Sequence, residues 1–228
     1  MDGIQYRHEW KHEISYADLL AIRQRLRVIA RADPHARDGK YLIRSLYFDN
    51  PEDKALREKI DGVNRREKFR IRCYNGDSSL IHLEKKSRLN GLGTKFSARL
   101  TAEEAQRIVD GNLDWMMDPD RPLLQELYCK MRYQGLRPKT IVDYTRRAFV
   151  YAPGNTRITL DDHVRTGLSS LDFFNPSLPT IPADITHPII LEVKYDRYLP
   201  DAVRRAIRLD NRRTTNFSKY AACRLTDF

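Results

Sequence analysis

Arg66-Glu67-Lys68-Phe69-Arg70-Ile71-Arg72-Cys73-Tyr74 decides the fold. In an extended chain, successive side chains point to opposite faces. Arg66, Lys68, Arg70, Arg72 and Tyr74 therefore share one face, against Phe69, Ile71 and Cys73. The next residues, Asn75-Gly76-Asp77, carry a strong hairpin signal. Beyond the turn, His82, Glu84 and Lys86 line up against Ile81 and Leu83. The pattern recurs along the chain. Arg7, Glu9, Lys11 and Glu13 share a face against His8, Trp10, His12 and Ile14. Tyr144 goes with Arg146, and Arg157 with Thr159 and Asp161. Glu192 and Lys194 oppose Leu191 and Val193.

Between these strands the sequence calls for helices. Ser15 caps one, with Asp18 supporting its first turn and Leu19, Ile22, Leu26 and Ile29 on one face. Pro51 leads a short helix that Asp61-Gly62 closes. Thr101 and Glu104 form a capping box for a helix that Gly111 ends, and Asp120 with Pro122 opens the next. Strands are expected over 4–14, 41–49, 64–75, 79–88, 94–100, 139–150, 156–162 and 186–195. The proline-bearing stretch 165–188 reads as an extended or flexible excursion, and two short helices follow, from Pro200 and over 216–224. No internal boundary shows, so residues 1–228 are read as a single domain.

A charged strand face is ordinarily a solvated face. Two features argue otherwise here. Four cations in a row, roughly 7 Å apart, repel one another unless an anion neutralises them. The amphipathic helices also need an apolar sheet face to cover, which turns the charged faces toward each other. The expected architecture is α+β: a closed antiparallel β-barrel of about eight strands with a polar lumen, flanked by helices.

The balance of 41 Lys and Arg against 31 Asp and Glu, a net charge of +10, suits polyanions. Convergent Lys and Arg suit a row of phosphates. Carboxylates among them, Glu9, Glu84, Asp161 and Glu192, either pair with neighbouring cations or ligate Mg²⁺ or Mn²⁺, which bridges phosphate oxygens. Glu192 is assigned to the metal. Nucleic acid is not expected, because acids flank the cation row. No apolar run approaches the roughly 18 residues of a membrane span, and no secretory signal is seen. Three widely spaced cysteines, Cys73, Cys129 and Cys223, point to free thiols and a cytoplasmic setting.

Taken in order, several segments resemble a known family. They are Arg7-His-Glu9-Trp-Lys11, Ser45-Leu-Tyr47-Phe-Asp49, Lys68-Phe-Arg70-Ile-Arg72-Cys-Tyr74, Glu84-Lys-Lys86 with Lys95, and Tyr144-Thr-Arg146. Arg157-Ile-Thr159-Leu-Asp161, Leu191-Glu192-Val-Lys194 and Asn216-Phe-Ser218-Lys219-Tyr220 complete the series. Over residues 4–225 the chain resembles the catalytic domain of the vacuolar transporter chaperone (VTC) family, within the triphosphate tunnel metalloenzymes. The resemblance implies an ATP-dependent polyphosphate polymerase that moves the γ-phosphate of ATP onto a polyphosphate chain, using Mn²⁺ or Mg²⁺. It implies that Arg70 and Arg72 grip the nucleotide triphosphate. Lys86, Arg146, Arg157 and Lys219 would hold phosphates along the tunnel, with Lys11 in the same lumen. Lys68, Lys95, Tyr144, Lys194 and Ser218 would add substrate contacts, and Glu192 would bind the metal. Hydrolytic relatives begin Glu-x-Glu-x-Lys, whereas this chain has Arg7 first, which favours the polymerase branch. No regulatory helical bundle or membrane segment is read, so any membrane coupling would need a partner protein. The alternatives are a triphosphate hydrolase of the same fold and a non-catalytic polyphosphate or nucleotide sensor.

Overall fold

The computed structural model describes residues 7–34, 36, 38–90, 92–184, 188–209 and 213–226. Strand β1 (His8–Ile14) runs into helix α1 (Tyr16–Ile29) and the two-residue β2 (Arg31–Ala32). Strand β3 (Tyr41–Asp49), helix α2 (Lys54–Ile60), and strands β4 (Arg66–Tyr74), β5 (Asp77–Leu89) and β6 (Leu92–Leu100) follow. Helices α3 (Ala102–Val109) and α4 (Pro122–Tyr133) flank a 3₁₀ turn at Asp114–Met117. Strands β7 (Arg137–Tyr151), β8 (Thr156–Thr166), β9 (Ile181–Pro182) and β10 (Ile189–Tyr195) lead to helix α5 (Asp201–Ala206). Strand β11 (Arg213–Thr214) and helix α6 (Lys219–Thr226) close the chain. Parts of the expected strands at 4–14 and 186–195, residues 4–6 and 186–187, lie outside the described residues.

The local signals act as their chemistry requires. Ser15 and Thr101 each close a capping box, with Asp18 and Glu104. Asn75 and Gly76 both have positive φ, the backbone of a tight hairpin turn. Helix α2 begins three residues after Pro51, because the Asp49 carboxylate accepts the backbone N–H of Ala55 and Leu56 and fixes its first turn there.

All the strands lie in one antiparallel sheet ordered β11-β1-β10-β8-β7-β3-β4-β5-β6, with β2 added to β7 and β9 to β8. Eight long strands curl into an open half-barrel. The expected closed barrel is therefore corrected. The free edge of β1 is occupied by β11, which pairs His12 with Thr214 and Glu13 with Arg213. The Thr215 N–H then donates to the Lys11 carbonyl. The edge that would have to meet β6 is already hydrogen-bonded to the segment entering α6.

Apolar residues of the convex face lie under helices. Leu46, Phe48, Phe69, Ile71, Ile81 and Leu83 pack with Ile108, Leu124 and Leu127. At the other end of the sheet, Ile158, Leu160, Leu191 and Val193 pack with Leu19, Ile22, Leu26 and Val203. Each such large side chain, fully buried, contributes roughly 1.5–3 kcal/mol. A third cluster lies on the concave side, where α2 and α6 bring Leu56, Tyr220 and Cys223 against Tyr47, Val142 and Tyr144. The described part of the proline-bearing excursion is pinned. Phe173 is buried in the first cluster, and the Arg44 guanidinium donates to the Phe173 and Asn175 carbonyls while gripping Asp143.

Candidate functional site

The concave face presents the charge that the strand pattern promised. Register between β4, β5 and β6 sets like charges directly opposite one another: Arg66 faces Arg88, and Lys68 faces Lys86, which faces Lys95. Further along, Arg70 faces Glu84, and Arg72 faces His82, which faces Arg99. Directly opposed like charges destabilise a sheet. Glu84 relieves the middle of this surface. It is 1% exposed, accepts from Arg70 Nε at 2.7 Å, and is bonded by Lys95. Burial opposes its charge, yet Arg70, Arg72 and Lys95 hold the carboxyl far below the ordinary range. Arg72 spends its N–H groups on Ser45 Oγ (3.0 Å) and the Tyr144 hydroxyl (2.9 Å).

Lys68 and Lys86 differ. Among the described residues, neither has a carboxylate at ion-pair distance. Burial, with Arg70, Lys11 and Lys59 nearby, pushes the Lys68 ammonium down to about 8. Lys86 is lowered well below the ordinary range, first by the Lys194 charge and then by burial. Lys194 lies on β10, so the two wings of the sheet face each other across a shared space.

The opposite wall is a quartet built by the β1–β10 register, which pairs Glu9 with Lys194 and Lys11 with Glu192. Lys11 Nζ lies 2.7 Å from Glu9 and 3.5 Å from Glu192, and Lys194 Nζ lies 2.8 Å from Glu192 and 3.4 Å from Glu9. Burial and the Glu192 charge would raise Glu9, but Lys11 and Lys194 outweigh them and hold it down. Burial likewise opposes Glu192, which Lys194, Lys11, Lys86 and Arg146 hold well below the ordinary range.

Between the walls lies the floor. Arg146 grips Asp161 with two bonds of 2.6 and 2.7 Å, and Lys219 reaches the same carboxylate at 2.7 Å. Against burial, Arg146 and Lys219 hold Asp161 at about 2. The Tyr144 ring lies beneath the Lys219 and Arg146 charges, 4.6 and 5.3 Å from its centroid. Arg157 stands at the rim, donating to Asp33 and the Tyr41 hydroxyl. Ser218 stands at the start of α6, where its oxygen accepts the Ala221 N–H.

Among the described residues, no three of His, Cys, Asp and Glu gather into a metal site. Glu84 and Asp161 are saturated by arginine and lysine. Among the described residues, Glu9 and Glu192 form ion pairs with Lys11 and Lys194 alone, and the Glu192 charge is close enough to raise the Glu9 pKa. A Mg²⁺-type ion needs one or two protein carboxylates when phosphates complete its shell. Those two residues fit that requirement.

Every residue singled out from the sequence except Arg157 and Ser218 thus falls on one of these two walls or the floor between them. Tyr47 and Ser45 lie in a segment that carries the family resemblance but have no expected role, and Tyr41 and Asp33 lie in none; yet the four bind Arg70, Arg72 and Arg157. Alternation along 41–49 places Tyr41, Ser45 and Tyr47 on one face. The same segment also reads as a nearly unbroken β-forming run, which hides which face is inward.

The sequence matches the VTC domain family over residues 6–226. The chain belongs to the VTC domain family. No curated protein matches it. Among solved structures, a VTC-domain chain such as this one resembles a Bacillus halodurans protein provisionally described as an adenylate cyclase. The identity is 14% and the TM-score 0.47, over 84% of this chain and 81% of that one. A Vibrio parahaemolyticus protein with the same provisional description is 12% identical, with a TM-score of 0.46 over 89% and 83%. A conserved hypothetical protein of Pyrococcus furiosus is 12% identical, with a TM-score of 0.40 over 88% and 85%. No helix among the described residues is long and apolar enough to cross a membrane.

Proposed function

We propose that this VTC domain is an ATP-dependent polyphosphate polymerase that moves the γ-phosphate of ATP onto a polyphosphate chain held along the lumen. One observation supports the reading: Lys68 and Lys86 stand opposite each other on the concave face, beside Arg66, Arg70 and Lys95, with no carboxylate at ion-pair distance among the described residues. Such a surface is stabilised by a ligand bearing many closely spaced negative charges.

The transfer needs positioning and charge neutralisation more than covalent help. A terminal oxygen of the phosphate chain forms a bond to the γ-phosphorus. The bond from that phosphorus to the β–γ bridging oxygen breaks, and its electron pair leaves with ADP. Arg70 and Arg72, fixed by Glu84, Tyr47, Ser45 and Tyr144, orient the triphosphate. Lys68, Lys86, Lys95, Lys11, Lys194, Arg146 and Lys219 neutralise the chain, with Arg157 and Ser218 at its margins. Glu9 and Glu192 would hold Mn²⁺ or Mg²⁺, which supplies charge neutralisation at phosphate oxygens.

The test incubates purified protein with ATP and Mn²⁺, following ADP release and polymer on a gel, beside Glu192→Ala. The expected result is ADP matched by growing polymer, with both lost in the variant. Orthophosphate without polymer would establish the hydrolase instead. No turnover, with tight tripolyphosphate binding, would establish a binding module.

A further inference from the structure

Tyr47 touches three parts of the lumen at once. Its hydroxyl accepts from Arg70 NH1 at 2.7 Å. Its ring lies beneath two cations of β4, with Lys68 Nζ 5.4 Å and the Arg70 guanidinium 5.6 Å from the centroid. Its other neighbour is Tyr220 of α6, ring centroids 5.0 Å apart. Tyr220 in turn donates to the Asp49 carboxylate that caps α2. The helix so anchored carries Lys219 onto Asp161 and over the Tyr144 ring.

We propose that Tyr47 is a positioning residue that sets the Arg70 guanidinium and seats the C-terminal helix, so that the β4 cations and Lys219 act on one phosphate chain. The inference rests on the reading of the lumen as a phosphate site. Arg70 donates to one Glu84 oxygen from both Nε and Nη2 and to the Tyr47 hydroxyl from Nη1, so the two partners hold opposite sides of the planar guanidinium. Without the Tyr47 hydroxyl, Nη1 loses this partner and the guanidinium can tilt about the Glu84 oxygen that holds Nε and Nη2. Without the Tyr47–Tyr220 ring contact, α6 loses one of its contacts with the sheet floor.

The groups facing Tyr47 are Arg70, Lys68 and Arg72 from β4, Tyr220 from α6 and Asp49 from its own strand, with Glu84 of β5 behind Arg70. Burial works against a phenolate, but Arg70, Lys68 and Arg72 bring the Tyr47 hydroxyl down to about 8. Charge developing on Tyr47 also supports the Lys68 proton. Removing the hydroxyl should therefore let Lys68 lose its proton at lower pH.

The test is tripolyphosphate binding by calorimetry from pH 7 to 9.5, on wild type and Tyr47→Phe. That variant keeps the tilted ring contact with Tyr220 and loses only the hydroxyl. Expected are binding about tenfold weaker at pH 7 and an alkaline loss of affinity that begins at lower pH than in wild type. Superimposable affinities and pH curves would overturn the proposal, since a residue that only fills space would give that result. Hydrogen exchange over 219–226 tests the helix seat in Tyr47→Leu, where faster exchange is expected and unchanged exchange would overturn that half. Wild type that fails to bind tripolyphosphate would refute the phosphate reading of the lumen, an outcome distinct from either of these.

Discussion

At Lys68 a charge that we propose for phosphate binding is held at the expense of stability. Burial and its cationic neighbours hold its pKa at about 8, against roughly 10.4 for a free lysine. Between those values the unfolded chain binds more protons than the folded one, so stability rises with pH across that window. At pH 7 the charged ammonium is therefore a folding cost. Lys68→Met should raise the unfolding free energy from urea titration at pH 7 by on the order of 1 kcal/mol, seen as a higher midpoint, a gain that fades toward pH 10, while tripolyphosphate affinity falls. Equal midpoints at pH 7 would mean that the lumen does not penalise this charge. Arg70 behaves oppositely. The sequence places it in a solvated lumen, where its loss should spare the fold, but it is only 7% exposed and grips a carboxylate that is itself buried. Arg70→Ala should cost about 3 kcal/mol by chemical denaturation, because Glu84 keeps only Lys95 and a more distant Arg72. Adding Glu84→Gln should restore part of that loss; no recovery would show that the pair itself is not the cause.

Among the elements, the hairpin of β7 and β8 does most to assemble the floor. Its register sets Arg146 opposite Asp161. The connection, Pro153-Gly154-Asn155, consists of turn-forming residue types, and the structure shows why glycine is needed. Gly154 has φ +66, and a Cβ there would lie 2.6 Å from the Tyr198 carbonyl oxygen, a backbone atom. Gly154→Ala should destabilise by about 2 kcal/mol, read as a lower denaturant midpoint with an unchanged slope. A neutral result would mean that the 198–200 segment yields easily. The capping boxes of α1 and α3 were equally legible, since each is a contact between residues three apart. The start of α2 was not. Its first-turn cap comes from Asp49 at the end of the preceding strand, while Pro51 offered a plausible earlier start.

Across the whole molecule, the two-residue period settled which strand faces carry charge, and the amphipathic helices settled that those faces turn inward. Both follow from backbone geometry and from the need to bury apolar surface, which act within a few residues of chain. The grouping of lumen cations and acids is therefore written in the sequence. Which acid meets which cation is not. Glu84 with Arg70, Asp161 with Arg146 and Lys219, and Glu9 and Glu192 with the two lysines depend on contacts between residues up to 185 positions apart, from Glu9 to Lys194. The failure of the sheet to close is likewise a tertiary outcome. A closed barrel and a half-barrel share the same alternation, and the choice turned on whether a distant pair of residues, Arg213 and Thr214, took the free edge of β1. Hydrogen bonding at a sheet edge is competitive, and only the folded chain reveals which competitor wins.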